Sequence, residues 1–486
     1  MKDLSAAAPF PDLAPLVARL AAHHGLDTVV NAGAWWPPEV ELMYPKLTVL
    51  GDASRGVSRV DPAHAAIVVD ASRMGAKEFG QRLDGLGRLV HQAPLIVVGT
   101  ENVDGLTSTL RARALEPFLT GRTRATSGSD EHRAGVLIID RIVDLAVPAP
   151  RDAFRVVAIM TVYNEEDVLA PSLAKLIDDG VEVYVIDNWS TDGSFEIARS
   201  FEGRGLVGLE RFPAEATPTF RLQPLLQRVE QVAADQHADW NIHHDVDERR
   251  SGPWPGIGLR ESLWRVQSLG FSAIDHTVLN FRPVDDTFEP GSDFERHFRF
   301  FEFGRTRDLV RQVKAWKNDG RVDLASSAGH EARFVGRRVF PYKFLIKHYP
   351  IRSQAHGDRK ILRDRVARWD PTERARGWHV QYNAIEGQQS FLRDPADLIE
   401  DRGAVTRASY LPEIIAGASL EDPVFPSWAL SSRTGRALYR RTRRLLLGDR
   451  YERVRRSPLL RPAFVRRPLA ALRATLLEGR SGVRRG

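Results

Sequence analysis

The chain has 486 residues, of which 43% are hydrophobic and 27% charged, with a formal net charge of +6 and no cysteine. This length exceeds one ordinary core and predicts two or three domains, and the missing cysteines exclude disulfides, thiol nucleophiles and cysteine-ligated zinc. No apolar run reaches the roughly 18 residues of a membrane-spanning helix, and the N-terminus lacks the basic start and apolar block of a secretory signal. We therefore expect a cytoplasmic protein.

Residues 1–148 alternate short β-branched runs with helix-like stretches. Four predicted strands each stop at Gly, Asp, Asn or Ser, and they are Asp27–Gly33, Lys46–Asp52, Ala65–Ser72 and Pro94–Asn102. This alternation predicts a Rossmann-like parallel sheet covered by helices. The stretch "NAGAWWP" is not a G-x-G-x-x-G fingerprint, so the role of the domain stays open between a cofactor site and a docking or scaffolding function.

A Pro- and Ala-rich linker, Asp144–Arg155, precedes a second α/β unit, which we place at residues 153–430. The unit begins as a strand, a helix, a strand and a helix, at Val156–Asp167, Val168–Asp178, Val181–Ser194 and Ser194–Phe201. A helix near Phe220–His237 then leads into an apolar run that ends at Asp245, and Phe271–Phe281 alternates like a strand. This order predicts a second sheet that contains parallel strands.

Acidic and amide side chains follow three of these strands. Asn164 and Glu165 follow the first strand, Asp187 follows the second, and Asp245 and Asp247 follow a later one. Because ligands of such sheets bind at the carboxyl ends of the strands, we expect these side chains to share one crevice. In extended backbone Asp-Val-Asp presents both carboxylates on one side, where two oxygen donors suit Mg²⁺ or Mn²⁺ bound to phosphate oxygens.

The segments "TVYNEED", "VIDNWSTDGS" and "HHDVDE" occur in this order and together resemble the nucleotide-sugar domain of glycosyltransferase family 2, which has the GT-A fold. The resemblance is close from Val156 to Gly256. It implies that a D-x-D pair, Asp245 and Asp247, binds Mn²⁺ or Mg²⁺ on the donor diphosphate. It also implies that the nucleotide is held by residues of the two earlier segments, which are Thr161, Tyr163, Asn164, Glu165, Asp187 and Asp192.

Two later segments, "SSAGHEARF" (Ser326–Phe334) and "FLIKHYPIRSQAHGDRK" (Phe344–Lys360), resemble a bacterial branch of these enzymes related to galactan-synthase-type transferases. Members of the GT-A group often use a late histidine as a third metal ligand, which makes His330 and His348 the candidates. Arg352 and Lys360 lie in a basic loop that would hold the leaving diphosphate.

The sequence identifies the carboxylate that would act as catalytic base less clearly than it identifies the metal and nucleotide residues. An inverting transfer needs a carboxylate that takes the proton of the acceptor hydroxyl. We favour Glu331, because it adjoins His330 in a Gly-containing loop, and Asp286 is the second candidate.

The resemblance implies a metal-dependent, inverting glycosyltransferase of cell-surface polysaccharide synthesis, which moves a sugar from a UDP- or GDP-sugar to a glycan or lipid-linked acceptor. A nucleotidyltransferase is an alternative, but the loop "VYNEED" is acidic and has no Gly. A non-catalytic carbohydrate-binding scaffold is another, but it would not need Asp187 together with Asp245 and Asp247.

The C-terminal segment, residues 431–486, is an Arg-rich tail that we predict to be helical or partly disordered. From Arg433 onward 17 Arg against 3 acidic residues give it a net charge of +14, which leaves −8 for the remainder. Leu, Val and Phe alternate with Arg, a pattern that favours peripheral contact with the inner face of the plasma membrane. Stacking aromatic residues are scarce in the tail, so we expect no nucleic-acid binding.

Overall fold

A computed structural model describes about two thirds of the chain. The described residues are 17, 20, 26, 28–32, 48–50, 60, 65–71, 74–100, 103–127, 130–140, 148–304, 312–318, 320–365, 368–375, 390–401 and 411–416. The predicted tail, residues 431–486, lies outside them, so its structure and membrane contact stay predictions. The predicted domain limits at 148, 153 and 430 also stay predictions.

The first sheet lies in the N-terminal part of the chain. Its strands are β1 (Thr28–Ala32), β2 (Thr48–Leu50), β3 (Ala65–Asp70), β4 (Leu95–Thr100), β5 (Leu119–Ser127) and β6 (Asp130–Ile139). They are arranged in the order β2-β1-β3-β4-β6-β5. Strands β1 to β4 pair in parallel, whereas β5 and β6 form an antiparallel hairpin at one edge. The hairpin makes the sheet mixed, where the strand pattern predicts a purely parallel one.

Three helices belong to this part of the chain, namely α1 (Ala76–Gly85), α2 (Leu89–Gln92) and α3 (Val103–Arg111). Helix α1 buries Phe79 and Leu83, and α3 buries Leu106 and Leu110. These side chains join one apolar cluster with residues of β3 and β4. The helices therefore cover the face of the sheet that carries Ile67 and Val69. The opposite face of β3 is apolar as well, because Val68 packs in a second apolar cluster.

The second sheet begins directly after the linker. It contains β7 (Val156–Val162), β8 (Glu182–Asp187), β9 (Leu206–Arg211), β10 (Trp240–Asp245), β12 (Ala273–Ile274) and β15 (Ala315–Lys317) in the order β12-β15-β10-β7-β8-β9. Neighbours among β10, β7, β8 and β9 are parallel, so their carboxyl ends meet at one edge. Its helices are α4 (Glu166–Asp178), α5 (Ser194–Arg199), α6 (Leu222–Asp235) and α7 (Leu259–Ser268).

The third sheet is built from later and shorter strands. They are β11 (Glu248–Ser251), β13 (His276–Phe281), β14 (Phe300–Phe303), β16 (Phe344–His348) and β17 (Ile399–Glu400), in the order β11-β16-β13-β14-β17. The remaining elements are α8 (Phe294–His297), α9 (Gln354–Gly357), α10 (Pro371–Ala375), α11 (Leu411–Ile414), two 3₁₀ turns at Ala325–Ser327 and Pro395–Asp397, and a π-helical segment at Asp358–Arg365. The described chain is thus a mixed α/β protein with several sheets that contain parallel strands.

Asp275 separates what the sequence pattern predicts as a single strand, Phe271–Phe281, into two strands of different sheets. Strand β12 ends before Asp275 and belongs to the second sheet, and β13 begins after it and belongs to the third. The buried Asp275 carboxylate accepts hydrogen bonds from the backbone N–H groups of His276 and Gln312, at 2.9 and 2.8 Å. These bonds occupy backbone donors where the chain changes sheet, which an alternating pattern cannot reveal.

Side chains of the first sheet region contact the start of β16. The ring of Phe118 lies 5.1 Å from that of Tyr342 and 6.1 Å from that of Trp254, between centroids. The hydroxyl of Tyr342 donates a hydrogen bond to Asp140, and both side chains are buried. The first sheet therefore supports the strand that ends at His348.

Within the described residues, none of the helices combines the length and apolar character needed to span a bilayer.

Tyr342→Phe is expected to lower the free energy of unfolding by about 1–3 kcal/mol, because it removes a donor from the buried Asp140 carboxylate. Tyr349→Phe is the matched control, since the equally buried hydroxyl of Tyr349 has no hydrogen-bond partner in the described part of the chain. Urea unfolding of both variants measures the difference. Equal losses would contradict a stabilising role for the Tyr342–Asp140 bond.

Candidate active site

The ends of β7, β8 and β10 lie side by side in the second sheet. In the strand register Thr161 pairs with Asp245, and Val162 pairs with Asp187. Thr161 is half-buried at the end of β7. The acidic strand ends Asp245 and Asp187 therefore lie on one edge of the sheet, on either side of β7.

Asp245 and Glu248 share the ammonium group of Lys314, which is supplied by the segment that leads into β15. The Nζ atom of Lys314 lies 2.6 Å from Oδ2 of Asp245 and 2.9 Å from Oε1 of Glu248. The other oxygen of Glu248 accepts from Arg250. Lys314 and Glu248 are buried, whereas the side chain of Asp245 is 40% exposed. Asp245 is thus the member of this cluster that faces solvent.

Asp247 shares a second ammonium group with Glu165. The Nζ atom of Lys360 lies 2.8 Å from Oδ2 of Asp247 and 2.6 Å from Oε1 of Glu165. All three side chains are buried. Burial alone would raise the pKa of Asp247, but the charges of Lys360 and Arg352 outweigh it and hold the pKa below its usual range. Asp247 is therefore ionised at neutral pH.

His348 completes this cluster from the end of β16. Its Nε2 atom lies 3.7 Å from Oδ1 of Asp247, and its Nδ1 atom donates to Oδ1 of Asn280 at 2.9 Å. Because Nδ1 carries the proton in this bond, the lone pair of Nε2 is available to a ligand, as in metal sites where a second residue orients the imidazole. Burial lowers the pKa of His348, which keeps the ring neutral.

Antiparallel pairing explains why these residues meet. Glu248, the first residue of β11, pairs in register with His348, the last residue of β16, and the backbone N–H of Tyr349 donates to the carbonyl of Asp247 at 2.8 Å. The chain thus leaves the second sheet after Asp245 and enters the third sheet at Glu248, with Val246 and Asp247 between the two sheets.

A third acidic group surrounds Arg352, which has no exposed surface. The guanidinium donates to Asp167 at 2.6 and 2.8 Å, to Glu165 at 2.5 Å and to the carbonyl of Tyr349 at 3.1 Å. It also lies 2.7 Å from Nε2 of His356. Ligand atoms of Glu165, Asp167 and His356 all lie within 4.8 Å of one another, so among the described residues they are a group that can hold a metal ion. A metal there would have to displace Arg352.

The predicted nucleotide loop after β7 is closely packed against the loop after β8. Asn164 has a left-handed backbone (φ 54°), and its side-chain oxygen accepts from the N–H of Thr191 at 2.8 Å. The guanidinium of Arg368 lies 3.7 Å from the ring centroid of Tyr163. Asp192 accepts from the backbone N–H groups of Glu166 and Ser194, so it links the two loops.

Asp187 is the last residue of β8, and only one of its two carboxylate oxygens accepts a hydrogen bond from the described residues. Its Oδ2 atom accepts from the N–H of Ser190 at 3.0 Å, and the guanidinium of Arg211 lies 3.8 Å away. Its Oδ1 atom is buried and has no hydrogen-bond partner among the described residues. Burial raises the pKa of Asp187, and the bond from Ser190 opposes this effect. A buried acceptor without a donor is costly unless a ligand supplies the donor.

His330 and Glu331 lie on the stretch that pairs with Val313, next to Lys314. Nδ1 of His330 is 2.9 Å from the amide nitrogen of Gln312. The buried Glu331 carboxylate is bound by Arg333 at 3.0 Å and by Arg337 at 2.8 Å, one guanidinium on each oxygen. These contacts hold His330 and Glu331 in the stretch beside Lys314.

Asp286 lies on the loop after β13 and is exposed. Its Oδ1 atom accepts from the backbone N–H of Gln354 at 2.6 Å, at the start of α9. Asp286 is therefore close in the chain fold to the Arg352 segment, and its carboxylate is open to solvent.

Sequence reasoning missed Lys314, which binds Asp245; Asn280, which accepts from His348; and His356, which lies against Arg352. Lys314 gave a signal, because a lysine inside the strand-like run "VKAW" must find a buried anion. Asn280 gave none, since its contact with His348 spans 68 residues of sequence.

Residues 157–210, from β7 to β9, match the model of the family described as Glycosyl transferase family 2. The match confirms the resemblance to glycosyltransferase family 2 that the sequence motifs indicate. The narrower relation to galactan-synthase-type transferases stays a prediction.

Solved structures of S. aureus TarS are similar to this chain at low identity. TarS residues 1–349 is 13% identical, with 40% of this chain and 60% of that chain covered and a TM-score of 0.24. A second structure of S. aureus TarS is 15% identical, covers 40% of this chain and 36% of that chain, and has a TM-score of 0.24. The structure of TarS 1–349 in complex with UDP is 11% identical, covers 40% of this chain and 61% of that chain, and has a TM-score of 0.23. This chain thus spans less than two thirds of each. No curated protein sequence matches it.

Lys314→Met is expected to lower the free energy of unfolding by about 3–5 kcal/mol, because Asp245 and Glu248 lose the ammonium that they share. Lys347→Met is the control, since Lys347 is 28% exposed and forms its ion pairs with Asp401 and Glu295. We expect about 1 kcal/mol or less for that variant. Denaturant unfolding measures both, and a loss for Lys314→Met no larger than the control would contradict the pairing.

Proposed function

We propose that this protein is a GT-A-type glycosyltransferase that transfers a sugar from a UDP- or GDP-sugar to a glycan or lipid-linked acceptor, with inversion, in cell-surface polysaccharide synthesis. The observation that carries the proposal is the position of Asp187 and Asp245 at the carboxyl ends of β8 and β10, on either side of β7, with Asp247 directly after β10. The segment that matches glycosyltransferase family 2 contains β7 and β8. Ligands of open α/β sheets bind at this edge.

We propose that the nucleotide base and ribose bind between the loops after β7 and β8. The free Oδ1 atom of Asp187 supports this position, because it can accept a hydrogen bond from a donor N–H or hydroxyl group. Tyr163 and Asn164 border the same region. Thr161 and Asp192 belong to the same two strand ends, and we propose that they shape the site.

The donor set at Asp247 fits a divalent cation. Two ligand atoms that each lie about 2.1 Å from one Mg²⁺ or Mn²⁺ are at most about 4.2 Å apart, and Oδ1 of Asp247 and Nε2 of His348 are 3.7 Å apart. We propose that these two residues would hold the metal and that the exposed Asp245 acts beside them. When bound, the metal supplies positive charge for the donor diphosphate. His330, whose Nδ1 atom lies against Gln312 beside Lys314, is the second histidine that we propose as a candidate ligand.

The transfer forms a bond between the acceptor oxygen and the sugar carbon as the bond from that carbon to the diphosphate oxygen breaks. The diphosphate leaves with the electron pair, and a carboxylate takes the proton of the acceptor hydroxyl. We propose Asp286 for this role, because its carboxylate is exposed. Glu331 is less suited, since each of its oxygens is bound to a guanidinium.

Lys360 is the cation that we propose for the leaving diphosphate. Its ammonium is next to Asp247, the proposed metal ligand. Arg352 is enclosed by carboxylates and has no exposed surface, so it would act through Glu165 and Asp167.

Asp247→Asn is expected to abolish the effect of Mn²⁺ on nucleotide binding, because it removes an anionic metal ligand. Calorimetry with UDP and GDP, with Mn²⁺ or with EDTA, measures this effect, and we expect a loss of about tenfold or more in affinity with Mn²⁺. Asp293→Asn is the control, since the Asp293 side chain caps α8 and pairs with the exposed Arg296. An unchanged Mn²⁺ effect would contradict the metal site, and a wild-type protein that binds neither nucleotide would contradict the transferase.

Asp286→Asn is expected to lower kcat by about 10²–10⁴-fold with unchanged nucleotide binding, because the acceptor proton loses its base. Release of nucleotide diphosphate from UDP- and GDP-sugars, with water or a supplied glycan as acceptor, gives the rate. Glu331→Gln is the comparison, and we expect it to affect stability more than kcat. The opposite order of effects on kcat would assign the base to Glu331.

A further inference from the structure

We infer that Lys360 is an internal counter-ion that makes metal binding and diphosphate binding cooperative in this site. This inference rests on the proposed function and concerns the same site. It assigns Lys360 a second role, which is to weaken binding of the metal alone.

The geometry of Lys360 carries the inference. Its ammonium bridges Oδ2 of Asp247 and Oε1 of Glu165, at 2.8 and 2.6 Å, and only 5% of the residue is exposed. Oδ1 of the same Asp247 carboxylate is the atom that faces Nε2 of His348. One carboxylate therefore has an ammonium on one oxygen and the candidate metal position at the other.

A bound metal and this ammonium would share the charge of Asp247 and repel each other. In a buried site such repulsion is screened much less than on the surface. Glu165 does not relieve it, because its second oxygen is already bound by Arg352. A divalent cation alone should consequently bind this site weakly.

A nucleotide diphosphate changes this balance because it brings negative charge to both cations. Its oxygens can bind the metal and accept hydrogen bonds from Lys360. The repulsion is then replaced by attraction between each cation and the diphosphate. Each ligand must raise the affinity for the other by the same factor, since the coupling free energy is reciprocal.

The position of Lys360 in the chain fits such a role. The π-helical segment Asp358–Arg365 contains it, and π-helical turns occur frequently at functional sites. The neighbouring Arg359 contacts the carbonyl of Asn164 at 3.3 Å, so the same segment touches the loop proposed to hold the nucleotide.

The test measures Mn²⁺ binding by electron paramagnetic resonance, without nucleotide and with saturating UDP or GDP, in wild type and Lys360→Met. We expect Lys360→Met to bind Mn²⁺ alone about tenfold more tightly than wild type, and the enhancement by nucleotide to fall by about the same factor. Lys347→Met is the matched control, because Lys347 precedes His348 in β16 but pairs with Asp401 and Glu295. It should leave both affinities unchanged.

Lys360→Gln, which keeps hydrogen-bonding capacity without charge, replaces Lys360→Met if that variant does not fold. If the neutral variants bind Mn²⁺ alone no more tightly than wild type, the inference is overturned. This arm contains no nucleotide, so its outcome is separate from the proposed function. A protein that binds Mn²⁺ but neither UDP nor GDP would overturn the proposed function instead.

Discussion

The pairing of buried charges is the constraint on which the arrangement of the strand ends depends. Five carboxylates lie at or beside this edge, and they belong to Glu165, Asp167, Asp245, Asp247 and Glu248. An ionised group removed from water is costly unless an opposite charge and hydrogen bonds compensate it. The compensating groups are Arg250, Lys314, Arg352 and Lys360, which the chain supplies from well beyond the first two motifs. The ion pairs therefore connect segments up to about 200 residues apart, and the metal and diphosphate that we propose would add to a site whose charges are already nearly balanced.

Two sheets share this site, and each contributes a different kind of control. The parallel strands of the second sheet bring Asp187 and Asp245 to one edge, as in other open α/β sheets. The third sheet sets the distance between Asp247 and His348 through the antiparallel register of β11 and β16. Because Tyr342, at the start of β16, is bonded to Asp140, the first sheet also supports the strand that ends at His348.

Much of the second sheet could be predicted from the sequence, because buried parallel strands such as β7 leave continuous apolar runs that end in polar residues. The Asp-Val-Asp segment, which the sequence predicts to be extended, instead turns at Val246 and Asp247 between β10 and β11, and Asp245 and Asp247 bind different ammonium groups. The contacts between distant segments could not be predicted. Nothing near Arg352 indicates that it is enclosed by Glu165 and Asp167, and nothing near Asp245 indicates Lys314, because these pairs depend on how the sheets meet. The split of Phe271–Phe281 at Asp275 depends on Gln312, and the β5–β6 hairpin depends on pairing with β4.

The π-helical segment at Asp358–Arg365 has a consequence for how the chain tolerates length changes. A π-helical turn is closed by an i→i+5 hydrogen bond and holds one residue more than an α-helical turn, so such segments are related to α-helices by a single insertion. Removal of one residue after Gly357 would let the segment relax to an α-helix and rotate the following side chains by about 100°. The ammonium of Lys360 would then leave the acidic cluster even though no residue type had changed. The number of residues in this short helix is therefore as much a part of the site as the identity of its lysine.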